Sequence, residues 1–176
     1  MRKVSSNIKL LIVFLIAFTG AILSAVLNKH ETGLPYREEM KEASNLAQQW
    51  FDIIKEVKDK KQIVSDAHSN VPNSALIGDD WSEITTTLGS LEAKETSTNP
   101  DFAALVVRWL HEATIKQGDK VGVVLSGSFP SISISVMAAL QTMKIDAVVT
   151  SSLGASTFGA NQEAATWIDM EHWLEL

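Results

Sequence analysis

A long apolar run near the N-terminus is the strongest pattern in the sequence. Residues 10–27, LLIVFLIAFTGAILSAVL, contain no charged residue, and about 20 apolar residues suffice for a helix to cross a bilayer core. We therefore predict a single-pass anchor over residues 1–28, with a cleaved signal peptide and a buried helix as alternatives. Arg2, Lys3 and Lys9 precede the apolar run. They predict a cytoplasmic N-terminus and an extracytoplasmic body at the cell membrane.

The next two stretches differ sharply in their periodicity. Within residues 29–62, apolar positions from 38 to 60 recur every three or four residues, which predicts an amphipathic juxtamembrane helix. We expect it to be a solvated connection between membrane and body, or alternatively a coiled-coil surface for a partner. Residues 63–98 are polar and irregular, and they predict a loop region. Such a long loop is usually functional or disordered.

Residues 99–176 alternate between helical and strand patterns. Asn99 and Pro100 predict the start of a helix, and Gly118 predicts its left-handed end. The apolar runs 121–125 and 146–150 predict two parallel strands buried on both faces. Helices are predicted to follow them at residues 130–143 and 162–174.

The resulting order is αβαβα, which predicts an α/β domain with an open, Rossmann-like parallel sheet. Such sheets normally contain about 4–6 strands. Either further strands therefore lie within residues 63–87, or the chain is a truncated form with an incomplete domain.

Composition and charge narrow the classes of partner. The chain has 176 residues and a net charge of −6, and its three most N-terminal basic residues all precede the apolar run. The remaining body is more acidic still, so we expect no nucleic-acid partner. Cysteine is absent, which excludes disulfides, thiolate metal sites and cysteine nucleophiles.

Small hydroxylated loops follow both predicted strands. Ser126, Gly127 and Ser128 follow the first, and Ser152, Gly154 and Ser156 lie in the loop after the second. Ligands of parallel α/β sheets bind beyond the carboxyl ends of the strands, where helix N-termini supply free N–H groups. These loops therefore predict a site for a carboxylate or phosphate. The alternative is that they are simply tight turns and helix caps. The common nucleotide-binding fingerprints are missing, and we predict no cofactor.

Catalysis is a weaker hypothesis. Ser126 or Ser128 occupies the place of a nucleophile, but neither G-x-S-x-G nor S-x-x-K is present. Of the histidines only His68 is expected to reach the strand ends, whereas His111 and His172 are expected to be solvated. The pair Asp79 and Asp80 could bind a hard cation, although capping or solvated acids are the more common arrangement, and no metal site is predicted.

Several segments together resemble one family, the poly-γ-glutamate system proteins. The similar segments are 85–94 (TTTLGSLEAK), 97–106 (STNPDFAALV), 125–130 (LSGSFP), 151–156 (SSLGAS) and 167–171 (WIDME). The resemblance covers residues 77–174 and is specific in its combination of loops. Members of the family continue beyond the last of these segments, which supports a truncated form.

The resemblance implies an accessory protein of poly-γ-glutamate synthesis and export. Its expected partners are the membrane, other subunits of the system and the γ-glutamyl chain. It would bind a γ-glutamyl carboxylate or assemble with the synthase. The alternatives are a γ-glutamyl hydrolase or transferase using Ser126 or Ser128, and a purely structural subunit. Lys94 would supply the positive charge. The candidate ligand-binding residues in the matching loops are Thr85, Thr86, Thr87, Ser90, Lys94, Ser97, Thr98, Asn99, Ser126, Gly127, Ser128, Ser152, Gly154 and Ser156.

Overall fold

The N-terminal unit is a single long helix. The computed structural model describes residues 6–30 and 35–176, and within the first range the side chains of residues 10–24. The chain divides into two compact units between Arg37 and Glu38. The first unit contains α1 (Ser6–His30), in which the rings of Phe14 and Phe18 stack with centroids 6.2 Å apart.

The predicted anchor is helical, but its membrane-spanning character is not supported. The whole apolar run lies within α1, as the sequence predicts. Among the described residues, however, no helix combines the length and the apolar character that a membrane crossing requires. Arg2 and Lys3, on which the predicted orientation depends, lie outside the described residues.

The second helix, α2 (Arg37–Lys60), belongs to the core of the second unit. Glutamates in its first turn and lysines in its last turn complement the helix dipole. Trp50, Phe51 and Ile54 are buried, and they join the main hydrophobic core. The interpretation of α2 as a solvated connection is therefore wrong, because its apolar face is covered by the body itself.

The region predicted as a loop contains regular structure. A 3₁₀ turn (Ser74–Leu76) is followed by the short strand β1 (Thr85–Thr87) and the helix α3 (Leu91–Ser97). Ser90 caps α3 by accepting a hydrogen bond from the N–H of Ala93 at 3.4 Å. A seven-residue helix leaves little periodicity, so its apolar pattern did not distinguish it from a loop.

The central prediction of alternating helices and strands is correct in order. The elements are α4 (Asp101–Glu112), β2 (Lys120–Ser126), α5 (Pro130–Thr142) and β3 (Asp146–Ser152). Serines alternate with isoleucines early in α5, yet the segment is a helix that begins at Pro130, and its Ser131, Ser133 and Ser135 are buried and hydrogen-bonded.

Gly118 does not end α4. The helix ends at Glu112, and Thr114 takes the left-handed conformation there, with φ of 62°. The N–H of Ile115 then donates to the carbonyl of Leu110 at 2.9 Å, which closes the end of the helix. Gly118 is left-handed as predicted, with φ of 83°, but it lies in the turn before β2.

The last helix begins later than the sequence predicts. Residues before it form the short strands β4 (Ala155–Ser156), β5 (Asn161–Gln162) and β6 (Ala165–Thr166), and α6 spans Trp167–Leu174. Thr166 and Asp169 form a reciprocal capping box, which sets the start of α6. β5 and β6 pair as an antiparallel hairpin.

The described strands form three separate pairs rather than one open sheet. β2 pairs with β3 and β1 pairs with β4, both in parallel, and the remaining pair is the hairpin. β1 lies in the stretch where a further strand was expected, but it does not extend the β2–β3 pair. The fold is therefore mixed α/β with short parallel pairs.

The prediction that β2 and β3 are buried on both faces is also wrong. Val124 is 85% exposed and Val148 is 69% exposed, whereas their neighbours Val123 and Val149 pack against the core. One face of this pair is thus covered by helices and the other is open. Apolar residues alone could not distinguish the two faces, since valine occupies both.

The core of the second unit joins all four of its longer helices. Buried residues of α2, α4, α5 and α6 form one cluster that includes Phe51, Val107, Ile134, Trp167 and Met170. The loops after β2 and β3, with the short pair β1–β4, lie at the edge of this core. They carry most of the residues predicted to bind a ligand.

Candidate functional site

The structure brings together the loops that follow β2 and β3. The strands are in register, with Ser126 opposite Ser152. The N–H of Gly127 donates to the carbonyl of Ser152 at 3.1 Å. A Cβ added to Gly127 would lie 3.2 Å from the carbonyl oxygen of Gly154, so glycine permits this close approach.

The strand β1 closes the same edge from the other side. The hydroxyl of Thr86 donates to the carbonyl of Ala155 at 3.1 Å, and the carbonyl of Thr87 accepts from the N–H of Thr157 at 3.0 Å. Glycine at position 89 allows its N–H to reach the hydroxyl of Thr157 at 2.7 Å. Three chain segments distant in sequence therefore meet at one edge.

Lys94 lies at the centre of these segments. Its Nζ donates to the carbonyl of Ser128 and to the Oγ of Ser156, the latter at 2.8 Å. The ring of Phe129 covers the ammonium group, with Nζ 3.6 Å from the ring centroid. Lys94 is only 2% exposed, and α3 carries it into the interior.

Among the described residues, the charge of Lys94 has no carboxylate counterpart. None of the ion pairs within the described residues involves it. Burial lowers the pKa of the Lys94 ammonium from its usual 10.5 to about 8, because removal from water disfavours the charged form. The amine of Lys94 therefore changes between its charged and neutral forms near pH 8.

Hydroxyl groups extend the network around Lys94. The Oγ of Ser128 accepts from the N–H of Ser156 at 3.1 Å, and the Oγ of Ser126 accepts from the N–H of Ser128 at 3.1 Å. Ser97 and Ser131 share a hydrogen bond of 2.6 Å between their hydroxyls. The hydroxyl of Ser156 thus contacts the amine directly and that of Ser128 bonds the backbone of Ser156, whereas Ser97 bonds the backbone carbonyl of Lys94.

Other predicted site residues have structural partners elsewhere. Thr98 bonds the carbonyl of Pro72 at 2.9 Å, and the side chain of Asn99 accepts from the N–H of Asp101 at 3.0 Å. Ser90 is the cap of α3. Thr85 contacts the amide of Asn161 at 3.0 Å. The side chains of these four residues position the segments and form no hydrogen bond with the amine of Lys94.

Sequence reasoning missed two residues that shape the site. Phe129 stands in the quoted LSGSFP segment, but nothing in the pattern indicates that its ring covers a lysine. Asn161 is fully buried, and its side chain bonds the backbone of Asp79 and the hydroxyl of Thr85. A single asparagine in a glycine-containing loop carries no sequence signal for such a role.

The groups suggested for catalysis are distributed differently from the prediction. The hydroxyl that contacts the lysine is that of Ser156, whereas Ser126 and Ser128 accept hydrogen bonds from backbone N–H groups. His68 lines a separate cavity beside α2. His111, which was expected to be solvated, is half-buried and bonds Glu39 at 2.5 Å.

Of the acidic pair in the loop, the carboxylate of Asp79 is engaged by backbone and amide groups. A carboxylate oxygen of Asp79 accepts from the Nε2 of Gln162 at 2.9 Å and from the N–H of Asp66 at 3.3 Å. No group of three or more histidine or acidic side chains in the described part of the chain is placed to hold a metal ion.

The burial of Lys94 predicts a specific pH dependence of stability. Between pH 8 and 10.5 the unfolded chain keeps this proton while the folded chain has lost it, so stability rises with pH. A shift of this size corresponds to at most about 3 kcal/mol. The exposed-site variant Lys41→Met serves as the control. We expect the free energy of unfolding of Lys94→Met minus that of Lys41→Met to be larger at pH 7.5 than at pH 10.

Urea denaturation at the two pH values measures this difference. Loss of the two hydrogen bonds of Lys94 affects both pH values alike, so only the change with pH reports the amine. An unchanged difference between the variants would show that Lys94 titrates normally.

Comparisons with protein-family models, with curated proteins and with solved structures find no match to this chain.

Proposed function

We propose that this protein is an accessory subunit of poly-γ-glutamate synthesis and export that binds a γ-glutamyl carboxylate at Lys94. The family resemblance supports the biological system, and the geometry of the lysine supports the ligand. Location at the outer face of the cell membrane belongs to the same proposal, and it rests on sequence alone.

One observation carries the proposal: a buried ammonium group that has no acidic partner among the described residues, at the edge where three segments meet. Buried charges are normally paired, because an isolated charge loses its solvation on burial. Here the cation has two neutral acceptors and the face of Phe129. A carboxylate supplies full opposite charge where the ring supplies only a quadrupole.

Binding requires the ring of Phe129 to move. Phe129 is 37% exposed, so one side of its ring faces solvent and the ring is not fully enclosed by other residues. Displacing the ring would expose the ammonium group, and the exposed residues Ser126 and Ser152 at the ends of β2 and β3 would offer further hydroxyl groups. A terminal or short γ-glutamyl unit suits this edge better than a long polyanion, because the chain is acidic overall.

Calorimetric titration of the full chain with a γ-glutamyl dimer and trimer tests the proposal. At pH 8.5 we expect binding with net proton uptake, since a bound carboxylate favours the ammonium form of Lys94. Lys94→Met should lower the affinity at least tenfold, as expected for loss of a charged hydrogen bond of about 1.5–3 kcal/mol. Lys41→Met is the matched control and should bind like the parent chain. Absence of binding, or equal binding by Lys94→Met, overturns the carboxylate site.

A second candidate function follows from the distance of 2.8 Å between the Nζ of Lys94 and the Oγ of Ser156. A neutral lysine can act as the base for a serine nucleophile. In a γ-glutamyl hydrolase or transferase, Ser156 would attack the amide carbonyl and release the amine. The proton of the Ser156 hydroxyl would pass to Lys94 and then to the leaving nitrogen. Water or a second amine would cleave the ester.

Release of glutamate or of γ-glutamyl products distinguishes the two functions. Ser156 is 4% exposed, so an enzyme must open this edge before substrate reaches the hydroxyl. Catalysis predicts turnover that Ser156→Ala abolishes and that Ser133→Ala, at another buried serine, preserves. Binding without turnover favours the accessory role. A folded protein with neither property favours a purely structural subunit.

A further inference from the structure

A second buried lysine lies outside the proposed carboxylate site. Lys58 is near the end of α2 and is 3% exposed. Its Nζ donates one hydrogen bond of 2.7 Å, to the carbonyl of Ala75. An ammonium group carries three donors, so two of them have no hydrogen-bond partner among the described residues.

Lys58 lines a cavity of about 260 Å³ between the end of α2 and the following loop. The other polar residues that line it are Lys55, Asp59, Ser65, His68, Ser69, Asn73 and Ser74. His68 is held with φ of 48°, a left-handed conformation that is uncommon outside glycine. Two lysines and one carboxylate therefore border the cavity, and the carboxylate of Asp59 is paired with Lys55.

The nearby acids are already engaged by other groups. Asp59 pairs with Lys55, with 2.5 Å between Nζ and Oδ2. Asp79 accepts hydrogen bonds from Gln162 and from the backbone of Asp66. Both carboxylates raise the pKa of Lys58, but burial lowers it by more, to about 8. Lys58 forms no ion pair within the described part of the chain.

We infer that this cavity, which we call the Lys58 cavity, is a binding site for a small oxyanion, either inorganic phosphate or a short carboxylate. The two unused donors of Lys58 would contact the anion, and the hydroxyl of Ser74 would add a third donor. The hydroxyls of Ser65 and Ser69 already donate to the carbonyl of Gly78 and to Glu95. The volume is below the range of about 300–1,000 Å³ typical of larger ligands. A small oxyanion therefore fits better than a nucleotide or a peptide.

This site is independent of the proposed function. It shares no lining residue with the network around Lys94 and contains a different buried amine. Either site can be tested while the other is intact. Lys94→Met should leave binding in the Lys58 cavity unchanged.

Titration calorimetry of the full chain with inorganic phosphate, and separately with acetate, tests the inference. We expect saturable binding of at least one of them at pH 7.5, and Lys58→Met should weaken it at least tenfold. Lys60→Met is the matched control, because Lys60 is exposed on the same helix and pairs with Glu56 outside the cavity. This control should change affinity less than twofold. The two titrations also distinguish a phosphate site from a carboxylate site.

A measurement on the unaltered chain keeps the test decisive if Lys58→Met fails to fold. The ¹³C shift of the Lys58 Cε, followed from pH 7 to 11, reports the protonation of its amine. Saturating anion should raise the pKa of Lys58 above about 8. Binding of neither anion, or an unchanged pKa in their presence, overturns the inference and leaves Lys58 as a cap for the carbonyl of Ala75.

Discussion

Gly78→Ala should destabilise the second unit by about 3 kcal/mol or more, near the upper end of overpacking effects. A Cβ at this position would lie 1.9 Å from the carbonyl oxygen of Gly159 and 2.2 Å from the Oδ1 of Asn161. The first neighbour is backbone, so no side-chain rotation relieves the overlap. The segment before β1 must then separate from the loop before β5. Such a loss is a large fraction of a typical total stability of about 5–15 kcal/mol.

The matched control is Gly122→Ala in β2. A Cβ at Gly122 meets no atom within 4 Å, and this glycine lies in a strand. We expect a neutral or slightly stabilising effect, because alanine reduces the entropy of the unfolded chain. Chemical denaturation followed by tryptophan fluorescence measures both variants. Equal stability of the two would show that the contact with Gly159 readily relaxes.

Asn161→Ala is expected to have a similarly large effect. The asparagine side chain accepts from the N–H of Asp79 at 2.9 Å and donates to the Asp79 carbonyl at 2.8 Å. It also donates to the hydroxyl of Thr85 at 3.0 Å. Truncation leaves these partners without their bonds at a site that is fully buried. Each unsatisfied buried group costs about 1–3 kcal/mol, so we expect a total loss of at least about 3 kcal/mol.

Asn70→Ala provides the comparison for this substitution. Asn70 is exposed and forms no side-chain hydrogen bond among the described residues, so its replacement should change stability by less than about 0.5 kcal/mol. Hydrogen exchange adds a positional readout. In Asn161→Ala the amides of β1 and of residues 155–157 should lose protection before those of α5. Uniform loss of protection would instead mean that Asn161 supports the whole core and not this edge.

These two residues explain how the candidate site is held in place. Gly78 and Asn161 join the segment before β1 to the loop before β5, and Ser82 strengthens the junction through the carbonyl of Asn161. β1 is only three residues long and pairs with two residues of β4. Such a short pair has little stability of its own. The buried junction therefore positions the threonines of β1 beside the serines of the later loops.

The parts of the fold that were correctly predicted have strong local signals. α2 and α4 have apolar residues at helical spacing, α5 has a proline at its first position, and β2 and β3 are continuous apolar runs. The errors occur where local signals are weak or shared. Gly118 can adopt a left-handed conformation in any turn, and the apolar residues of 162–166 suit a hairpin as well as a helix.

The candidate site was only partly predictable for a related reason. Proximity of the Ser126 and Ser152 loops follows from parallel pairing of consecutive strands, which sequence periodicity indicates. The position of Lys94 over Ser156 joins residues 62 apart in the chain, and no spacing rule connects them. The position of the Phe129 ring over the amine depends on the direction that the chain takes in the turn after β2.

The sequence by itself determined which of the longer segments, α2, α4, β2, α5 and β3, become helices and strands, because their apolar periodicity and caps act over a few neighbouring residues. It also determined that small hydroxylated loops would follow the two longer strands. Only the tertiary structure decided which apolar faces are covered, since Val123 is packed and Val124 is open although both are valine in one strand. It likewise decided that Lys58 and Lys94 are buried. The burial and pKa of a lysine depend on the segments packed around it, and those come from distant parts of the chain.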